Sequence, residues 1–339
     1  MAEIEKEVKN PTTEIIEKKG TWLTVRSDIK VIDCTIRDGG LVNNFGFEDD
    51  FVKAIYKTCI EAGVDYMELG YKASKNIFSP TAHGKWKFCG EDDIKRIVGE
   101  NDSTLKLSVM ADAERTDYHD DILPKNQSVI DLVRVATYVH QLPAALEMIK
   151  DAHDKGYETS VNLMAVSLVK EGELDEALEI LASSEVDVIY LVDSFGALYS
   201  EEIRSLISKY LKYAKAAGKK VGVHAHNNQQ LAYANTIEAL ILGASYLDAT
   251  VSGLGRGAGN CPLELLLGFL KNPKFHLRPV IQCIQDNIFK LRETTTWGYE
   301  IPYMLTGQLN LHPRAAIKFL AGSDNTNLIE FYDSLMTED

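Results

Sequence analysis

Residues 220–250 read KVGVHAHNN, QQLAYANTIEALIL, G, ASYLDAT, and this stretch decides the fold. Its first part, Lys220–His224, is a short apolar run ending in two histidines, His224 and His226, one residue apart. The spacing predicts a strand, in which residues i and i+2 share a face, so both imidazoles aim at one point. Gln229–Leu242 follows with helical periodicity, Gly243 punctuates its end, and Ser245–Thr250 reads as a second strand. Strand, helix, glycine, strand is a right-handed parallel βαβ unit in one segment.

Working outward, the same unit recurs. Strand patterns fall at Lys30–Ile36, Asp65–Leu69, Thr104–Met110, Ile130–Ala136, Glu158–Met164 and Val186–Val192. Helical patterns lie between most of them, among them Phe51–Ala62, Leu142–Lys155, Leu174–Ser183 and Glu201–Ala217, with Gly63, Gly156 and Gly218 at helix ends. Eight strands alternating with helices predict an α/β fold, a closed (β/α)8 TIM barrel. An open doubly wound sheet is the competitor, but no Gly-x-Gly-x-x-Gly turn follows the first strand. Residues 1–25 read as a loosely ordered leader with a helical turn around Glu14–Lys18, residues 26–272 as the barrel, and residues 273–339 as a C-terminal helical extension without further strands.

The 339 residues are 45% hydrophobic and 25% charged with a net charge of −14. That balance excludes nucleic-acid binding, which needs clustered Lys and Arg. No apolar run reaches the roughly 20 residues that span a bilayer, and Met1–Gly20 has no apolar signal core. The five cysteines are scattered without a Cys-x-x-Cys pair, which predicts buried thiols in a reducing cytoplasm.

In a parallel barrel, chemistry sits at the C-terminal ends of the strands. There the sequence places Arg37 and Asp38 after strand one, Glu68 at the end of strand two, Asp193-Ser-Phe-Gly196 after strand six, His224 and His226 on strand seven, and Ser252-Gly-Leu-Gly-Arg-Gly-Ala-Gly-Asn260 after strand eight. A carboxylate, two imidazoles and an amide oxygen form a mixed O/N set that suits Mg²⁺, Mn²⁺, Co²⁺ or Zn²⁺. An arginine beside it supplies fixed positive charge where an oxyanion develops. Asp38 also reads as a turn residue before Gly39-Gly40, and Arg37 as a salt-bridge partner of Glu68. The glycine run reads as a flexible turn, a phosphate cradle or part of the metal site.

These three motifs, Asp33-Cys-Thr-Ile-Arg-Asp-Gly-Gly40, His224-Ala-His-Asn227 and Gly253-Leu-Gly-Arg-Gly-Ala-Gly-Asn260, resemble the DRE-TIM metallolyases. That superfamily includes 3-hydroxy-3-methylglutaryl-CoA lyase, the isopropylmalate and homocitrate synthases and 4-hydroxy-2-oxovalerate aldolase, and the resemblance spans about residues 31–270. It implies Asp38, His224, His226 and Asn260 as metal ligands, with Mn²⁺ or Mg²⁺ ahead of Co²⁺ or Zn²⁺. It implies Arg37 as the enolate-stabilising arginine and Glu68 as the glutamate of the superfamily name. Asp193-Ser-Phe-Gly-Ala-Leu198 and Trp297-Gly-Tyr-Glu-Ile-Pro-Tyr303 are similar to the aldolase branch, which implies substrate contacts at Gly39, Asp193, Ser194 and Asn228 and a tyrosine, Tyr299 or Tyr303, over the site. The same branch implies a lyase acting on a 2-oxo acid and an aldehyde, a homo-oligomer, and an aldehyde dehydrogenase as partner.

One position departs from that branch. Its aldolases carry a histidine three residues after the metal-binding aspartate, and Leu41 stands there. The substitution removes the usual proton-transfer group and predicts a preference for a larger or less polar aldehyde. The chain also shows no regulatory domain of the isopropylmalate-synthase type, which favours a lyase over a Claisen-type acyl-CoA condensing enzyme. A non-catalytic metal-binding barrel is the remaining alternative.

Overall fold

The computed structural model describes residues 26–337. The leader and its helical turn therefore lie outside the described residues. Eight parallel strands close into a barrel in sequence order: β1 Lys30–Asp33, β2 Tyr66–Tyr71, β3 Lys106–Asp112, β4 Leu132–Thr137, β5 Glu158–Leu163, β6 Val188–Asp193, β7 Lys220–Ala225 and β8 Tyr246–Ala249. Closure is made by β1 against β8, with Lys30 beside Tyr246 and Asp33 beside Ala249. The fold is a (β/α)8 TIM barrel.

The outer layer follows the amphipathic runs. The helices are α1 Thr35–Gly39, α2 Asp49–Ala62, α3 Glu91–Val98, α4 Tyr118–Asp121, α5 Leu142–Asp154, α6 Glu171–Ala182, α7 Ser200–Ala216, α8 Ala232–Leu242 and α9 Leu263–Leu270. Between β3 and β4 the only α-helix is the short α4. α2 buries Val52, Ile55, Cys59 and Ala62 on one side and stops at Gly63, whose left-handed φ of 70° lets its N–H close on Cys59 O and Ile60 O. All five cysteines are buried free thiols. No helix among the described residues is long and apolar enough to cross a membrane.

The first strand is shorter than expected. It ends at Asp33, and residues expected to continue it turn into α1. The Asp33 carboxylate explains the turn: it accepts from the Thr35 hydroxyl at 2.5 Å and from the Thr35 N–H at 3.3 Å, pulling the chain around immediately after the strand. Arg37 and Asp38 thereby sit on a single helical turn at the barrel mouth, both buried.

Beyond α9 the chain continues through α10 Leu277–Cys283, a π-helical turn at Ile284–Ile288, α11 Phe289–Leu291, α12 Ile301–Gln308, α13 Arg314–Ala321 and α14 Leu328–Met336, with no strand among the described residues. From Trp297 onward this extension packs on the C-terminal face. Trp297 Nε1 donates to Ser252 O at 3.1 Å, the Asn310 amide donates to Ser167 O at 3.2 Å, and the His312 ring meets Phe195 edge-on at 5.5 Å.

Candidate metal centre

Inward-facing residues of the strands carry two kinds of side chain. Ile32, Tyr66, Leu132, Val188, Tyr190 and Tyr246 belong to one apolar cluster that plugs the barrel. Above it lie ionisable groups that ordinarily avoid such depth, and they are tolerated because they close a ring of alternating charge. Arg37 Nη1 contacts Asp38 at 2.7 Å and Arg37 Nε contacts Glu68 at 2.7 Å. Glu68 accepts from Arg134 at 3.0 Å, and Arg134 reaches across to Asp248 at 2.6 Å. Asp248 holds His224 Nδ1 at 2.9 Å, and His224 Nε2 returns to Asp38 Oδ2 at 3.2 Å. Arg134 is fully buried, with its guanidinium over the Tyr190 ring at 4.4 Å.

This ring sets protonation states. Burial opposes the charge on Asp38, but the Arg37 guanidinium outweighs it and the carboxyl is held well below its usual range. Burial likewise opposes ionisation of Asp248, yet Arg134 and His224 bring it down to about 2. His226 is pushed well below its ordinary value, mainly by burial, and is a neutral imidazole with a lone pair to offer. The Asp248 contact fixes the Nδ1 side of His224 and leaves Nε2 for another partner.

Ligand atoms of Asp38, His224 and His226 all lie within 4.8 Å of one another. A second group, Cys34, His224 and Asp248, also meets that spacing. There, however, Asp248 is already committed to Arg134, and burial holds the Cys34 thiol protonated with its pKa well above the usual value. His224 Nε2 is buried without a hydrogen bond, its approach to Asp38 lacking the required alignment, and both polar atoms of the Asn260 side chain are likewise unpaired. Buried polar atoms left without partners in a carboxylate–imidazole–amide pocket are what a divalent cation would satisfy. The residues fit the ion.

The glycine-rich loop completes the centre. Asn260 pairs with His226 in an antiparallel bridge, and the Arg256 N–H donates to Asp38 Oδ1 at 3.1 Å. A Cβ on Gly255 would collide with the Asn260 side chain and come within 3.0 Å of Asp38 Oδ1, so the loop approaches that closely only as glycine. The loop binds Asp38 rather than forming a free phosphate cradle.

The pocket at the mouth is small, about 60 Å³, and is lined by Arg37, Asp38, Leu41, His224, His226 and Ser194 together with Tyr71, Met110, Asn162 and Met164. Arg37 Nη2 is buried there without a partner, its other nitrogens being held by Glu68 and Asp38. Glu68 lies deeper and positions Arg37. Ser194 lines the pocket, and its hydroxyl accepts from the Ala165 N–H at 2.9 Å. The structure commits Asp193 to the backbone N–H groups of Ala197 and Leu198 at 2.9 and 3.4 Å, so its carboxylate shapes the loop. Asn228 lies under the glycine loop, accepting from the Ala258 N–H at 3.4 Å. Gly39 packs its backbone against Leu254 and Phe47. Tyr303 borders the glycine loop, a Cβ on Gly257 lying 3.6 Å from its ring, whereas Tyr299 is 52% exposed. Neither tyrosine lines the pocket.

Three participants escape the sequence reading. Arg134 and Asp248 carried a signal: each is an ionisable residue interrupting an apolar strand at an inward position. Tyr71 carried none. The β2–β3 register shifts between Glu68 and Tyr71, with Gly70 at φ 151°, and this irregularity re-aims the tyrosine into the pocket.

Known proteins share this architecture. The HMGL-like family model matches residues 28–286. Oxaloacetate decarboxylase of Mycobacterium tuberculosis is 31% identical over 74% of this chain and 72% of its own length. A 4-hydroxy-2-oxovalerate aldolase of Thermus thermophilus is 30% identical over 79% of this chain and 74% of its own. Among solved structures, the N-terminal domain of a candidate aldolase from Bacteroides vulgatus superposes with a TM-score of 0.75 at 28% identity, covering 89% of this chain and all of that one. The HMG-CoA lyase of Brucella melitensis shares the fold at a TM-score of 0.61 and 16% identity, over 78% of this chain and 98% of its own. Both the extent of the family match and the identity to curated relatives lead to one assignment: the chain belongs to the HMGL-like family and is a divalent-metal-dependent carbon–carbon lyase.

Proposed function

We propose that this chain cleaves a 4-hydroxy-2-oxo acid to pyruvate and an aldehyde, with Mn²⁺ or Mg²⁺ held by Asp38, His224, His226 and Asn260. The single observation that carries this reading is that Arg37, whose buried Nη2 has no hydrogen-bond partner, lines the same small pocket as the three ligand side chains. A divalent ion bound there would act as a Lewis acid towards the keto and carboxylate oxygens of the 2-oxo acid. Bond cleavage moves an electron pair onto the keto oxygen, and Arg37 Nη2 is the donor placed to hold that developing charge. Glu68 and Asp38 prevent the guanidinium from swinging away.

The enolate then needs a proton on carbon. Tyr71 supplies it in this reading: its ring is stacked under the Lys87 ammonium at 4.3 Å, and burial raises its pKa, so the hydroxyl keeps a proton to give. Y71F is expected to lower kcat by about 10²-fold with metal content retained, the usual size of general-acid help. An unchanged kcat would remove Tyr71 from the reaction. R37K keeps the charge but loses the planar fork, and kcat is expected to fall at least about tenfold. A rise in KM alone would reduce Arg37 to substrate binding.

A second reading is favoured by Leu41. Aldol cleavage requires a base for the departing hydroxyl, and the leucine offers none, whereas decarboxylation of oxaloacetate to the same enolate releases CO₂ and needs no such base. A panel of 4-hydroxy-2-oxo acids, oxaloacetate, and acetyl-CoA with 2-oxo acids, assayed with Mn²⁺ and Mg²⁺ and read by mass spectrometry, separates the readings. Aldehyde plus pyruvate supports the aldolase, pyruvate and CO₂ the decarboxylase, and free CoA thiol a Claisen-type enzyme. No turnover on any of these would overturn the lyase substrates proposed here.

A further inference from the structure

Beyond the small pocket lies a cavity of about 710 Å³ between α5 and α6, an order of size that holds a drug-sized ligand. Three consecutive strand ends join the two. At the end of β4, Ala136 lines the metal pocket and Tyr138 the larger cavity; after β5, Met164 lines both; after β6, Ser194 lines the pocket and Phe195 the cavity. The two loops are tied by the Ala165 N–H donating to the Ser194 hydroxyl. The cavity wall is apolar, with Leu142, Leu146 and Val169, and it leaves Leu168 and Ile180 exposed at 61% and 40%. Among the described residues its acidic side chains are Glu173 and Glu176, and no Lys or Arg lines it.

We propose that this cavity binds an unbranched apolar chain carried by the aldehyde half of the substrate, an inference that rests on the aldolase reading. The wall of the metal pocket on that side is apolar at Met110, Ala136 and Met164, with Asn162 and Ser194 beside them, and Met164 is the side chain that pocket and cavity share. The acidic rim disfavours the phosphates of an acyl-CoA as occupants. A two-carbon aldehyde would leave the cavity empty, whereas a longer straight chain would replace water from its wall.

The test is condensation of pyruvate with straight-chain aldehydes of two to ten carbons, using the full chain with Mn²⁺. We expect kcat/KM to rise by about fourfold per methylene that enters the cavity. L168D and I180D, at exposed positions that tolerate charge, should lower the ratio of decanal to acetaldehyde kcat/KM at least tenfold, and I329D, on the far extension and 73% exposed, should leave that ratio unchanged. A flat chain-length profile, or a rising one that both cavity variants leave intact, overturns the chain-binding cavity while the aldolase reading stands. A change of oligomeric state in L168D or I180D, seen by light scattering without a change in the ratio, identifies the cavity as an interface between copies and overturns it too. Failure with every aldehyde removes the aldolase reading and this inference with it.

Discussion

Purified D38N is expected to carry at least about tenfold less manganese than the parent chain after equilibration with Mn²⁺ and desalting, and H224A the same. Asp38 supplies the only carboxylate of the cluster, and its oxygens lie beside His224 Nε2, Asn260 and the Arg256 N–H. Loss of its charge leaves two imidazoles and two amides, a weak set for a hard divalent ion. Asp38 is wholly buried, so the change also acts on Arg37, which keeps only Glu68 as anionic partner. For that reason metal content is read beside a melting curve. D248N gives a finer outcome: it replaces no ligand, but it weakens the hold on His224 Nδ1 and should lower metal affinity by about 10–100-fold. Unchanged stoichiometry in both D38N and H224A would sink the site.

Much of this centre was legible because its elements follow local rules. Strand alternation put His224 and His226 on one face, and both line the pocket. Glycine punctuation at Gly63, Gly156, Gly218 and Gly243 marked helix ends, and the chain takes positive φ at all four. What stayed illegible depends on three-dimensional exceptions. The side chain of Asp33 ends β1 before the expected Ile36, a local hydrogen bond overriding β propensity. The irregular register of β2 puts Tyr71 in the pocket where simple parity would have turned it away. The Asp193-Ser194 pair looked like one substrate-binding unit, but adjacent strand-end residues point in different directions, and only Ser194 reaches the pocket. Tyr299 and Tyr303 were indistinguishable in sequence because their positions depend on how α12 packs, which no local pattern encodes.

Arg134 is where stability and site geometry meet, and R134M separates them. Its guanidinium bridges Glu68 on β2 to Asp248 on β8 from a position on β4, so one cation joins three strands across the barrel. Removing it leaves Asp248 with His224 alone and Glu68 with Arg37 alone, inside a closed barrel where both carboxylates are buried. Breaking a buried pair from one side typically costs about 3–5 kcal/mol, because the remaining charge is uncompensated. At about 2 °C per kcal/mol for a chain of this size, R134M should melt on the order of 10 °C below the parent. The double variant R134M/D248N removes both partners, so much of that loss should return. Metal affinity should not return with it, since the amide introduced by D248N lacks the negative charge through which Asp248 raises the basicity of His224. A melting loss in R134M below about 2 °C, less than the roughly 1 kcal/mol that this shift represents, would show that water or rearrangement satisfies Asp248 without Arg134. Recovery of metal affinity in the double variant would mean that Asp248 serves the barrel core and leaves His224 unaided.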